Sequence, residues 1–132
     1  MPTHAYNFGV RTSAKGVILE GVRLTGLTVG TGSAVTIAED CRSNLFASVV
    51  HTATGVYTFN LNVPFPPKLM VCSPELSAAA GAAIISARYQ NASYNATTGV
   101  LIVNTSNTSG TATDPGANDE MHVIFLFRLY TT

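Results

Sequence analysis

Val56-Tyr57-Thr58-Phe59-Asn60-Leu61-Asn62-Val63 alternates its side chains without a break. Tyr57, Phe59, Leu61 and Val63 fall on one face; Val56, Thr58, Asn60 and Asn62 fall on the other. A period of two with bulky apolar residues on one side is the pattern of a half-buried antiparallel strand. Pro64, Pro66 and Pro67 then stop the ladder, because proline has no N–H to donate. Upstream, Asn44 to His51 reads as a second strand. Thr52-Ala53-Thr54-Gly55 joins the two as a hairpin, with Gly55 taking the unusual φ.

The same period recurs along the chain. Lys68 to Cys72 is a short apolar strand. Ala83 to Gln90 sets Ile85, Ala87 and Tyr89 against Ile84, Ser86 and Arg88. Val100 to Val103 is a β-branched apolar run, reached through Asn91 to Gly99, which is rich in turn residues. The last strand spans about Met121 to Tyr130. Its middle, Val123-Ile124-Phe125-Leu126-Phe127, is apolar on both faces, so it is expected to be central and covered on both sides. Ser73-Pro74-Glu75 offers the start of a helix, with Ser as cap and Pro in the first turn. Gly81 limits it to a single turn or an irregular crossover.

These signals predict an all-β protein, an antiparallel β-sandwich, with Tyr57, Phe59, Leu61, Val100, Ile102, Val123, Phe125 and Phe127 in its core. The first third reads differently. Gly16, Gly21, Gly26, Gly30 and Gly32 punctuate a stretch rich in Val, Leu and Thr. Glycine at that density weakens a strand. Residues 1–42 are therefore expected to form an extended N-terminal arm with one or two strands, and residues 43–132 the sandwich body. The arm's apolar residues Tyr6, Phe8, Val17, Ile18, Leu19, Leu24 and Leu27 are the candidate partner-binding residues, acting by strand addition to a neighbour.

Composition narrows the function. Of 132 residues only 11% are charged, against roughly 25% in ordinary soluble domains. The net charge is zero, and the polar surface falls to Thr, Ser and Asn, which lose water at less cost than ions. Such a surface suits a chain whose faces are covered by partners, and predicts a symmetric homo-oligomer. The seven Lys and Arg are scattered, which argues against a nucleic-acid partner. No apolar run reaches the length of a membrane-spanning helix, so no membrane partner is expected. Met1-Pro2-Thr3-His4-Ala5-Tyr6-Asn7 does not resemble a signal peptide.

Chemistry-bearing residues are sparse. His4, His51 and His122 lie in the arm and at strand edges, and no motif sets Cys41 or Cys72 beside His51 as a nucleophile–base pair. Both cysteines read as free thiols. Glu39-Asp40 reads as a solvated edge. Asp114-Pro115-Gly116-Ala117-Asn118-Asp119-Glu120 gathers oxygen ligands but lacks the ligand order of a calcium loop, so it reads as a turn. Gly30-Thr31-Gly32 is too short for a phosphate loop. The Asn-x-Ser/Thr triplets at Asn91, Asn95, Asn104 and Asn107 read as loop composition. No enzyme, no cofactor and no metal site is expected.

Three stretches carry a resemblance. Thr54-Gly55-Val56-Tyr57-Thr58-Phe59-Asn60-Leu61 with its prolines, Tyr94-Asn95-Ala96-Thr97-Thr98-Gly99-Val100-Leu101-Ile102-Val103, and Val123-Ile124-Phe125-Leu126-Phe127-Arg128 resemble, in this order, the small β-sandwich virion proteins of tailed phages, including capsid decoration (cement) proteins. The resemblance covers roughly residues 43–132. It implies a location on the capsid surface of the virion after synthesis in the host cytoplasm. The implied partners are the major capsid protein and further copies of the chain, expected as a trimer from the common use of three-fold positions in such shells, and no catalytic residues carry over. A phage tail or fibre module recognising a receptor or glycan is the alternative; the absence of Trp counts slightly against it.

Overall fold

The computed structural model describes residues 10–11, 17–38, 45–62, 68–78, 85–90 and 94–128. Within them the chain is all β. Its strands are β1 (Val10–Arg11), β2 (Val17–Thr25), β3 (Ser33–Ala34), β4 (Thr36–Ile37), β5 (Phe46–Ala53), β6 (Val56–Leu61), β7 (Lys68–Ser77), β8 (Ile85–Tyr89), β9 (Val100–Asn107) and β10 (Glu120–Arg128). One sheet runs β1-β2-β10-β7, with β4 also on β2; the other runs β3-β5-β6-β9-β8. All pairings are antiparallel. The two sheets pack face to face as a sandwich.

Its core follows the alternation. Tyr57 and Phe59 are fully buried and Leu61 nearly so. Opposite them Met121, Val123, Phe125 and Phe127 line the inward side of β10. Phe125 is the hub: its ring centroid lies 4.9 Å from Phe46, 5.6 Å from Phe59 and 5.6 Å from Phe127. Edge-on and offset arrangements of this kind add to the burial itself. At one side the chain crosses between sheets: β3 pairs with β5, β4 pairs with β2, and Val35 between them is buried.

Four expectations are corrected. First, the division at residue 42 is not a division of the fold. β2 pairs with β10 along eight successive residues, from Val17↔Arg128 to Leu24↔Met121. Ile18, Val22, Leu24 and Leu27 are buried in the chain's own core. The glycines that suggested an arm lie mostly in turns: Gly26 and Gly32 take positive φ. Second, Val100 and Ile102 are not core residues. Leu101 and Val103 are fully buried instead, and Val100 and Ile102 are half-buried on the other face. An unbroken apolar run has no alternation to read, and a shift of one residue exchanges the faces. Third, Ser73-Pro74-Glu75 is strand, not helix start. β7 is an edge strand, where a missing N–H is tolerated, and Pro74 pairs with Val123. Fourth, β10 is central but covered on one side only: Ile124 is 53% exposed.

Candidate functional site

Asp114, Asp119 and Glu120, in and after the loop before β10, are each taken up by a different neighbour. Asp114 Oδ1 accepts the Gly55 amide at 2.6 Å and faces His51 Nε2 at 3.0 Å. Asp119 Oδ2 accepts the Gly116 amide at 2.6 Å. Glu120 receives Arg23 Nη1 at 3.1 and 3.3 Å and lies 3.5 Å from His122 Nε2. The loop thus spends its oxygens on turn geometry and cross-strand pairing. Among the described residues no three His, Cys, Asp or Glu side chains gather as metal ligands.

His51 is a structural residue in the middle of β5, 3% exposed, rather than a strand-edge base. Its Nδ1 donates to Val29 O at 2.7 Å, and its ring stacks on Tyr57 at 5.0 Å. The Tyr57 hydroxyl donates to Leu27 O at 2.8 Å. Burial, and then the nearby Asp114 charge, raise the Tyr57 phenol above its ordinary range. Neither ring nitrogen of His51 faces a thiol. Cys72 is a free, half-buried thiol on the inward side of β7. Burial pushes it up to about 12, which keeps it protonated and poorly nucleophilic. His4, Glu39, Asp40, Cys41 and Asn91 lie outside the described residues.

What remains is a surface. The outward side of the first sheet is ordered in cross-strand rows, read from the register of β2, β10 and β7. Val17, Arg128 and Lys68 form the first row. Leu19, Leu126 and Val71 form the second; Gly21, Ile124 and Ser73 the third; Arg23, His122 and Glu75 the fourth. A β-bulge on β7 adds Met70 beside the second row. Val71 is 47% exposed, Met70 48% and Ile124 53%. One end of the face is cationic and the other mixes Glu75 and Glu120 with Arg23 and His122, with an apolar band between.

The seven arm residues separate accordingly. Ile18, Leu24 and Leu27 face the chain's own core. Leu19 and Val17 lie on the outward face, half-buried. Tyr6 and Phe8 lie outside the described residues. Ile124, Leu126, Val71 and Met70 were not singled out as partner-binding residues from sequence. The signal that could have found them is the doubly apolar run Val123 to Phe127, which burial by one sheet cannot satisfy on both faces.

Compared with known protein families, with characterised proteins and with solved structures, the chain gives no match. Among the described residues no helix is long and apolar enough to cross a membrane.

Proposed function

We propose that the protein is a structural component of a virus particle: a decoration (cement) protein that binds the outside of a tailed-phage capsid and stabilises it by bridging neighbouring capsid subunits. Its partners are the major capsid protein and further copies of itself. The observation that carries the reading is the outward face of the first sheet, where a central strand leaves Ile124 and its apolar neighbours uncovered in a chain with only 11% charged residues. Contiguous exposed apolar patches mark interaction surfaces. The resemblance of the strand-and-turn segments to small phage virion proteins supports the choice of assembly.

Copy number and position in purified particles from the source of the sequence provide the test. Hundreds of copies spread over the shell are expected. A handful at the tail would replace the shell by the tail or fibre module, and absence from particles would overturn the virion reading.

A further inference from the structure

We propose that the outward face of the first sheet is a self-docking surface, on which two copies of the chain pack face to face about a two-fold axis running across the strands. It gives to a second copy the same face on which the virion reading rests, and its test does not depend on that reading.

The first observation is charge. Arg128 and Lys68 stand directly opposite one another on β10 and β7, both exposed. Like charges in opposed positions are unfavourable, and neither has an ion-pair partner among the described residues. Six residues along β10 is His122, opposite Glu75 and beside Glu120. At about 3.4 Å per residue the cationic end and Glu75 lie roughly 20 Å apart, with the apolar band midway. A second copy is complementary to this arrangement in one orientation. A two-fold along the strands sets Lys68 over the cationic end of its partner. A two-fold across the strands sets Lys68 over the partner's Glu75, which has no ion pair among the described residues, and Arg128 over the partner's His122, beside a Glu120 that Arg23 already holds.

The second observation is Gly21. It occupies the middle of the nine-residue strand β2, exposed and without a positive φ. A Cβ built on it meets nothing within 4 Å. Nothing described inside the chain requires glycine there, and glycine in a strand interior weakens it. A glycine so placed marks close approach by something outside the strand. The axis that pairs the charges lies midway between the second and third rows. It brings Leu19 of each copy over Gly21 of the other, a projection over a gap, and Ile124 against Leu126. The charge pattern and the steric pattern select the same axis.

The third observation is extent. A face three strands wide, of β2, β10 and β7, and about nine residues long covers on the order of 450 Å² per copy, a little under the roughly 1,000 Å² total that separates specific from incidental contacts. The dimer is therefore concentration-dependent. Its symmetry is isologous, with each contact made twice. It takes the place of the trimer that the resemblance implies.

Sedimentation equilibrium of the full chain, from low micromolar to several hundred micromolar, reads the stoichiometry. A monomer–dimer equilibrium is expected. Ile124→Lys should weaken it by roughly tenfold or more, by burying an unpaired ammonium, with the circular dichroism spectrum unchanged. Gly21→Val should also weaken the dimer while leaving the melting temperature of the monomer unchanged or higher. Lys68→Glu alone should weaken association, and adding Glu75→Lys should restore it. A chain that stays monomeric, a closed trimer, or a dimer indifferent to both Ile124→Lys and Gly21→Val would overturn the proposal. A charge exchange that fails to restore the dimer would overturn the axis.

Discussion

Nε2 of His51 lies 3.0 Å from Oδ1 of Asp114, 63 residues further along the chain, and the same oxygen accepts the Gly55 amide at 2.6 Å. One carboxylate thus ties the segment before β10 to the middle of β5 and to the tip of the β5–β6 hairpin. Asp114→Ala would leave a 97% buried imidazole and a backbone amide without this acceptor. Losing a buried partner costs about 1–3 kcal/mol, and the loss should appear as a lower urea midpoint with an unchanged slope. Asp114→Asn keeps an acceptor oxygen and should recover part of it.

Gly55 is fixed by position as well as by turn type. Its φ is +69°, and an added Cβ would stand 2.5 Å from Thr105 O and 3.0 Å from Thr113 N. Gly32 has φ +88° with open space around it. Gly32→Ala should therefore cost only the left-handed strain, about 1–2 kcal/mol. Gly55→Ala should cost clearly more, because backbone must move. Equal losses in paired thermal melts would contradict the close approach.

Phe125 is fully buried against Phe46, Phe59 and Phe127. Phe125→Ala is expected to remove about 3–5 kcal/mol of stability, since the surrounding rings close such a cavity poorly. Ile124→Ala, one residue away on the exposed side, should cost the dilute monomer far less. The contrast between the two, measured by denaturant titration at low protein concentration, checks which face of β10 is core.

Cys72 gives the fold a pH dependence on the alkaline side. Burial raises its thiol from an ordinary 9.0 to about 12, so between those values the unfolded chain sheds a proton that the folded chain retains. Stability present below about pH 9 is then lost progressively as pH rises toward 12. Tyr57, also raised by burial, acts in the same direction. Urea midpoints at pH about 8 and about 10.5 should show the decline, and Cys72→Ala should reduce its slope. In the native state at neutral pH Cys72 should react slowly with thiol reagents, and quickly once the chain is unfolded.

Period-two alternation determined the strands wherever it was unbroken. In β6 it fixed which side of Tyr57, Phe59 and Leu61 meets the core, because every second side chain must point the same way. Gly55 marked its hairpin, but Pro74 and Gly21 sit inside strands, so neither residue type by itself ends one. The tertiary structure alone decided three things. It chose which side of the apolar run Val100 to Val103 faces in, since a run without alternation carries no register. It made β2 a central partner of β10 rather than an arm, because pairing between residues a hundred apart is a matter of which edges meet, not of local pattern. It also settled the fate of β10. The sequence determined that Val123 to Phe127 is apolar on both sides. Only the stacking of two sheets, which covers one side of each, left Ile124 and its row on the surface.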